Sequence, residues 1–308
     1  MNSLKNLIEN FLNAHWLRFE NLPWDIQVAL FFQKYKPKKI KSSLEVGVGN
    51  GINTFLNLGG SLKKEEDHFS NLSYLNASHK DYWNTFKKKK NPISKNVSNK
   101  FDLVLDHKKN LLKNAKNLNI SKKYIQHDCN KSLKKFGKFD FIYSNIIYWL
   151  KDPINTIDNF EEILNTNGHI IITIPNQNFF KYGETFNAKN KFLKLLNFGR
   201  KNHYKFFNNR RSFDRILKKR ENLKIIKKKS ILSPSSLKFW DIGNRLLFPI
   251  YSNHSNYQIN NKKRLKLKNA TIKRLKPYVT QLVREELYDI NKKKIPGAYD
   301  LFLIKKIK

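Results

Sequence analysis

The sequence predicts an α/β fold: a mostly parallel, seven-stranded sheet with helices on both faces, plus N-terminal helices and basic insertions forming a cap. Three observations predict it. Short apolar runs alternate with stretches of helical periodicity, the pattern of repeated β-α-β units. The run His169–Pro175 (HIIITIP) is apolar almost throughout, as in a strand covered on both faces. A glycine-rich turn follows the first such run and leads into a helix.

Residues 3–35 read as two helices. Leu4, Leu7, Ile8, Phe11 and Leu12 share one face, and Pro23 breaks the pattern and can start a second helix, Trp24 to Tyr35. The first strand lies at 44–48, followed by the turn and helix of GNGINTFLNL. Residues 59–100 are polar and Lys-rich with scattered aromatics, and read as an insertion with a short helix near 79–88. Strands follow at 101–106 and at 124–126, the latter leading to Asp128, with a helix at 108–117 between them. A fourth strand spans 139–145, and a helix at 153–166 ends at the stop signal Asn167-Gly168 before the strand at 169–175. Residues 177–207 are basic, aromatic and irregular. Ser212 can cap a helix running to about Arg220. A sixth strand at 223–232, a second irregular stretch at 233–295 with helical patches notably at 270–288, and a last strand at 298–306 complete the chain.

Composition narrows the function classes. Forty per cent of the 308 residues are hydrophobic, enough for a real core. No apolar run reaches the roughly eighteen residues that span a bilayer, so no integral membrane segment is expected. The N-terminus lacks the unbroken apolar stretch of a signal peptide. The single cysteine, Cys129, excludes an internal disulfide and a cysteine-based metal cluster; no metal is expected, and a cytoplasmic location is. The formal net charge of +37 predicts attraction to polyanions. Only ten of the basic residues are arginine, however, and Lys, Asn, Ile and Phe share A/T-rich codons, so base composition is a competing source of the charge.

In open parallel sheets, ligands bind beyond the carboxyl ends of the strands. After strand one comes Glu45-Val46-Gly47-Val48-Gly49-Asn50-Gly51, whose glycines allow a tight turn and close approach of a ligand. Ile52 stands where a dinucleotide fingerprint needs its third glycine, and the Gly-Lys-Ser/Thr of a P-loop is missing. After strand two sits Asp106, able to accept from both hydroxyls of a ribose. After strand three sits Asp128, able to accept from an adenine amino group or to cap a helix. The segment after strand four, Ser144 to Leu150, is suited to line the cleft.

These segments together, EVGVGNG, FDLVLDHKKNLLKNAKNL, YIQHDCN, KFDFIYSNIIYWLKDP and ILNTNGHIIITIPN, resemble the successive motifs of class I S-adenosylmethionine-dependent methyltransferases, in the subgroup often called type 11. The likeness covers roughly 43–58 and 101–178, in the order and near the spacing of that family. It implies a Rossmann-like sheet and S-adenosyl-L-methionine as cofactor. It implies Glu45, Gly47, Gly49 and Gly51 around the methionine part, Asp106 on the ribose with His107 beside it, Asp128 and Cys129 by the adenine, and Asn145 near the sulfonium. One departure matters: the ribose acid of such folds ordinarily follows the glycines by about twenty residues, so the 59–100 segment must loop out for Asp106 to serve. A second is the absence of a Pro-Pro-Tyr type motif at 145–148, which speaks against DNA-base methylation.

The implied organisation is an N-terminal helical cap (1–40), a cofactor-binding core (41–178) with its insertion (59–100), and a substrate-side region carrying the last strands (179–308). The acceptor is expected to be a small molecule, lipid or glycan. RNA is an alternative acceptor, and a non-catalytic interaction protein an alternative function; the oligomeric state is not determined. Trp16, Tyr148, His203 and Tyr204 are substrate-side candidates. Trp16 and Trp24 suit either an aromatic lid or pins that hold the helices to the core. Trp240, Asp241 and Arg245 are further candidates on the substrate side. His15, His203, His254, Tyr148 and Tyr251 are the groups able to take a proton, and none is singled out as catalytic.

Overall fold

The computed structural model describes residues 2–69, 91–187, 206–207, 213–243 and 261–308. Its centre is a seven-stranded sheet built from β1 (Ser43–Val46), β4 (Phe101–Asp106), β5 (Ser121–Gln126), β6 (Phe139–Ser144), β7 (Leu164–Pro175), β8 (Leu223–Ile231) and β9 (Tyr299–Lys306). The order is β5-β4-β1-β6-β7-β9-β8. Neighbours from β5 to β7 are parallel, with Leu44 opposite Leu103 and Ile142. The last strand, β9, enters antiparallel between β7 and β8, pairing Ile172 with Phe302 and Ile225 with Ile304. The chain therefore steps outward from β1 through β4 to β5, then returns to the other side of β1. In sheets of this kind, ligands bind beyond the carboxyl ends of the strands flanking that reversal, here β1 and β6.

Alternate residues of each strand feed two separate cores, as the period of two requires. Val104, Phe141, Tyr143, Leu301 and Leu303 face the layer containing α1 (Asn2–Ala14), α2 (Leu22–Tyr35), α3 (Ile52–Asn57), α4 (Lys109–Asn117) and the long C-terminal helix Asn261–Asn291. Leu44, Val46, Leu105, Ile142, Phe302 and Ile304 face the layer of α5 (Pro153–Ile163) and the helix Phe213–Lys218. Burial on both faces explains why these strands read as continuous apolar runs.

The insertion after α3 does loop out. Its ends pair as a small antiparallel hairpin, β2 (Ser61–Leu62) with β3 (Ile93–Lys95), and β1 remains next to β4. The helix expected near 79–88 lies outside the described residues. Four expectations need correction. The helix expected to end at Asn167-Gly168 ends at Ile163; Asn167, at φ 66°, lies inside β7 where pairing with β6 shifts register. The segment after Asn176, expected to be irregular, begins with two short helices, α6 (Gln177–Tyr182) and α7 (Glu184–Asn187). The patch expected at 270–288 is one helix from 261 to 291 that carries Pro277 inside it. Residues 234–242, assigned to an irregular stretch, form a helix whose Ser233 cap accepts from Ser236 N–H. No described helix is long and apolar enough to cross a membrane.

Candidate functional site

The glycine turn leaves β1 at the sheet reversal. Gly47, Gly49 and Gly51 all have positive φ, at 82°, 59° and 78°. Two of them differ in what they face. A Cβ on Gly51 would sit 2.8 Å from Ile120 Cδ1 and 2.9 Å from Ala115 Cβ, so the glycine lets α3 pack tightly on α4. A Cβ on Gly49 would meet nothing within 4 Å. The turn is bare toward the crevice at that point, as a cradle for a ligand must be.

Asp106, at the end of β4, locks onto this turn. The Gly49 N–H donates to its Oδ2 at 2.8 Å and the Lys108 N–H to its Oδ1 at 2.9 Å. The residue is 5% exposed. Each carboxylate oxygen retains a second lone pair. His107 points outward, its Nδ1 3.5 Å from Asp106 Oδ1. The loop after β5 closes the same corner. The Asp128 Oδ1 accepts from Asn130 N–H and Nδ2, at 3.0 and 2.9 Å, and these bonds hold its carboxyl below the usual range. Asp128 is exposed and caps this turn rather than a helix. Cys129 is buried against Gly47 and Asp106; burial first, then the nearby carboxylates, push its thiol up to about 12, so it is an inert packing group. From β6, the Ser144 hydroxyl donates to Val46 C=O at 2.9 Å, and Ile146 packs against Gly47. Asn145 Oδ1 is buried without a partner.

Glu45 points to the other face of β1, under α3. Thr54 donates to its Oε1 at 2.5 Å, while Oε2 has no partner. Burial pushes its carboxyl up to about 8. Above it lies a polar network that sequence reasoning only touched through His15. Asn53 Nδ2 donates to Asp25 Oδ1 at 3.3 Å, and His15 Nε2 meets Asn53 Oδ1 at 2.7 Å. Asn50 Nδ2 donates to His68 Nδ1 at 3.1 Å, and the His68 and His15 rings are 5.0 Å apart. Burial drives the His15 ring down to about 4 and raises Asp25 to about 8. Asp25 was hidden because an acid two places after Pro23 reads as an ordinary first-turn residue of a helix.

The structure thus brings Glu45, Gly47, Gly49, Gly51, Asp106, Cys129 and Asn145 to one corner, with His107 and Asp128 on its outer rim. Trp16 is elsewhere: it is 1% exposed, its indole N–H donates to Asp67 at 3.0 Å, and Arg264 stacks over its ring. It pins the cap to the long helix. Trp24 is half-buried, edge-on to Tyr299, with its indole N–H unpartnered. Tyr148, just after β6, is edge-on to Tyr299 at 5.9 Å. Trp240 lies edge-on to Phe179, and Asp241 holds the Thr185 N–H and hydroxyl. His203, Tyr204, Arg245, Tyr251 and His254 lie outside the described residues.

Comparison with known proteins gives one family match: a model described as a methyltransferase domain matches residues 24–228. No curated protein matches the chain. Among solved structures, the chain is similar to the plantazolicin methyltransferase BamL in complex with a triazolic desmethylPZN analog and SAH, at 14% identity and a TM-score of 0.46, covering 100% of this chain and 99% of that one. It is similar to a possible histamine N-methyltransferase from Thermotoga maritima, at 11% identity and a TM-score of 0.46, covering 99% of this chain and 100% of that one. It is also similar to the N-methyltransferase NodS from Bradyrhizobium japonicum WM9, at 15% identity and a TM-score of 0.38, covering 68% and 85%.

Proposed function

The chain belongs to the methyltransferase-domain family, S-adenosylmethionine-dependent enzymes of class I fold, and on that premise we propose which residues hold the donor and which face the acceptor. The glycine turn, Asp106 and the 127–130 loop hold the donor. Segments 1–40 and 179–308 form the acceptor side around the 41–178 core, and the acceptor is a small molecule, lipid or glycan. A cytoplasmic setting belongs to the same reading, supported by the single cysteine.

One observation carries the assignment. Asp106, at the end of β4, is joined at 2.8 Å to Gly49 in the turn after the neighbouring β1, although an insertion separates them in sequence. A ribose diol suits this corner: the spare lone pairs of both Asp106 oxygens can accept from two adjacent hydroxyls. The bare face of Gly49 leaves room for the chain that links ribose to methionine. The unpartnered oxygen of Glu45 and that of Asn145 are buried polar atoms that a cationic ligand would satisfy. When bound, S-adenosylmethionine supplies a methyl carbon already activated by its positive sulfur. What remains for the protein is to align the nucleophile with that carbon and to take a proton from the nucleophile.

Titration calorimetry with S-adenosylhomocysteine tests the assignment. Asp106→Ala removes charge-assisted hydrogen bonds, each worth about 1.5–3 kcal/mol, so affinity should fall by roughly a hundredfold or more. Gly49→Val should abolish binding by filling the cradle. Wild-type affinity in both variants would overturn the assignment.

A further inference from the structure

Of the buried carboxyl groups near the glycine turn, Glu45 and Asp106 are absorbed by the donor reading and Asp25 is not. Asp25 sits in the first turn of α2, 3% exposed. Its Oδ1 is held by Asn53, the second residue of α3. Its Oδ2 is buried with no partner. Asn53 is itself fixed: an amide oxygen only accepts, so the His15 nitrogen facing it at 2.7 Å carries the proton. His15 is therefore a neutral donor in this chain of contacts, and Asn53 must present its amide hydrogens to Asp25.

Arg18 offsets part of the burial of Asp25 through space but makes no hydrogen bond to its idle oxygen. Arg18 is drawn to Glu20 at 2.5 Å and to Asn21 at 3.0 Å. An aromatic side chain, Tyr143, lies near Asp25, and further rings cluster beyond the turn that carries it. Trp24, its neighbour in the turn, stands edge-on to Tyr299 at 6.2 Å, and Tyr299 stands edge-on to Tyr148 at 5.9 Å. Burial first, and then Glu45, Asp25 and Tyr148, raise the Tyr143 hydroxyl on β6, so all three lie near that hydroxyl. A buried carboxyl with an idle oxygen is costly unless a cation completes it. Aromatic rings beside it add attraction for such a cation.

We propose that Asp25, positioned by Asn53 and His15, receives the amino group of the acceptor, so that the acceptor is an amine methylated at nitrogen. This rests on the donor assignment above. The amine enters as an ammonium ion and hands one proton to Asp25 Oδ2, which frees the nitrogen lone pair. The nitrogen then bonds the methyl carbon as the carbon–sulfur bond breaks, its electron pair staying on sulfur. The positive charge moves to the methylated nitrogen, and the Asp25 proton returns to solvent after the product leaves. Burial pushes the Asp25 carboxyl up to about 8, close to the range in which it can exchange a proton with an amine. The charged groups acting on it are Arg18 and Glu20 from the turn before α2; His15 reaches it through Asn53, and Tyr143 on β6 senses it.

Calorimetry on the full chain saturated with S-adenosylhomocysteine tests this, with phenethylamine as the probe and 2-phenylethanol as its uncharged counterpart. The amine should bind at least tenfold more tightly than the alcohol, and its affinity should rise as the pH is raised toward 8. In Asp25→Asn, which keeps the volume and the contact with Asn53, the preference and the pH rise should both disappear. Affinity for S-adenosylhomocysteine should stay within twofold, which also shows that the variant is folded. Asn53→Ala should weaken amine binding and leave the cofactor affinity alone. Equal binding of amine and alcohol, no amine binding to the loaded wild type, or unchanged amine affinity in Asp25→Asn would each overturn the proposal. Loss of S-adenosylhomocysteine affinity in Asp25→Asn would overturn it too, by moving Asp25 to the donor. A wild type that does not take up S-adenosylhomocysteine defeats the donor assignment and this proposal with it.

Discussion

Gly49 and Gly51 lie two residues apart, yet their substitution should separate stability from binding. Gly51→Ala adds a methyl 2.8 Å from Ile120 Cδ1 and 2.9 Å from Ala115 Cβ while forcing a left-handed backbone. A loss of roughly 2–4 kcal/mol in urea unfolding is expected. Gly49→Ala meets open space, so it should cost about 1–2 kcal/mol for its backbone alone and show its main effect in donor affinity. Asp25 and His15 set opposite pH dependences. Asp25 titrates near 4 when unfolded and at about 8 here, raised by burial. The folded state thus holds a proton that the unfolded state has lost, and stability falls as pH rises from about 4 to 8, by up to about 1.4 kcal/mol per unit. Asp25→Asn should therefore gain stability over wild type at pH 8, with the gain fading near pH 4. His15, depressed to about 4, contributes stability that is present above about 6.5 and lost on acidification toward 4. At this scale the sequence revealed the residues carried by strand ends, Glu45, Gly49 and Asp106. It concealed Asp25 and Asn53, because a polar residue near a helix start has ordinary duties there, and only the packing of α2 on α3 turns them toward each other.

Strands were the most legible elements, because β6, β7 and β9 are covered on both faces and need apolar residues at nearly every position. The long helix Asn261–Asn291 was read only in part, since Pro277 and its many lysines break the apolar pattern. Its attachment depends on a buried ionic knot that no periodicity announces. Asp67 receives two bonds from Arg264 at 2.8 and 2.9 Å, one from Trp16 and one from Phe69 N–H, with Lys268 at 3.6 Å. Despite the burial that opposes it, these cations hold the Asp67 carboxyl down to about 2. Asp67→Ala strands two cations in the interior, and removing one partner of such a cluster costs about 3–5 kcal/mol. Thermal unfolding should show that loss at neutral pH. A change below 1 kcal/mol would mean that Arg264 and Lys268 reach water once the acid is gone.

For the whole molecule, the net charge of +37 is the feature most open to over-reading. Part of it guards the sheet. Lys122 and Lys123 are exposed on the outer strand β5, and Lys224, Lys227 and Lys228 on the outer strand β8, where charge discourages pairing with another edge. Binding to mixed-sequence RNA should therefore be of the diffuse kind, present at about 50 mM salt and lost by about 200 mM. Retention above that, in an electrophoretic shift, would favour RNA as the acceptor. The fold was legible because strand and helix patterns alternate along the chain, whereas the proposed acceptor side draws on the cap, the glycine turn and the last strand, which lie far apart in sequence. The most direct measurement is a crystal structure with S-adenosylhomocysteine. The account predicts both ribose hydroxyls on the Asp106 carboxylate and the amino-acid end over Gly49. A ligand bound away from the carboxyl ends of β1 and β4 would contradict it.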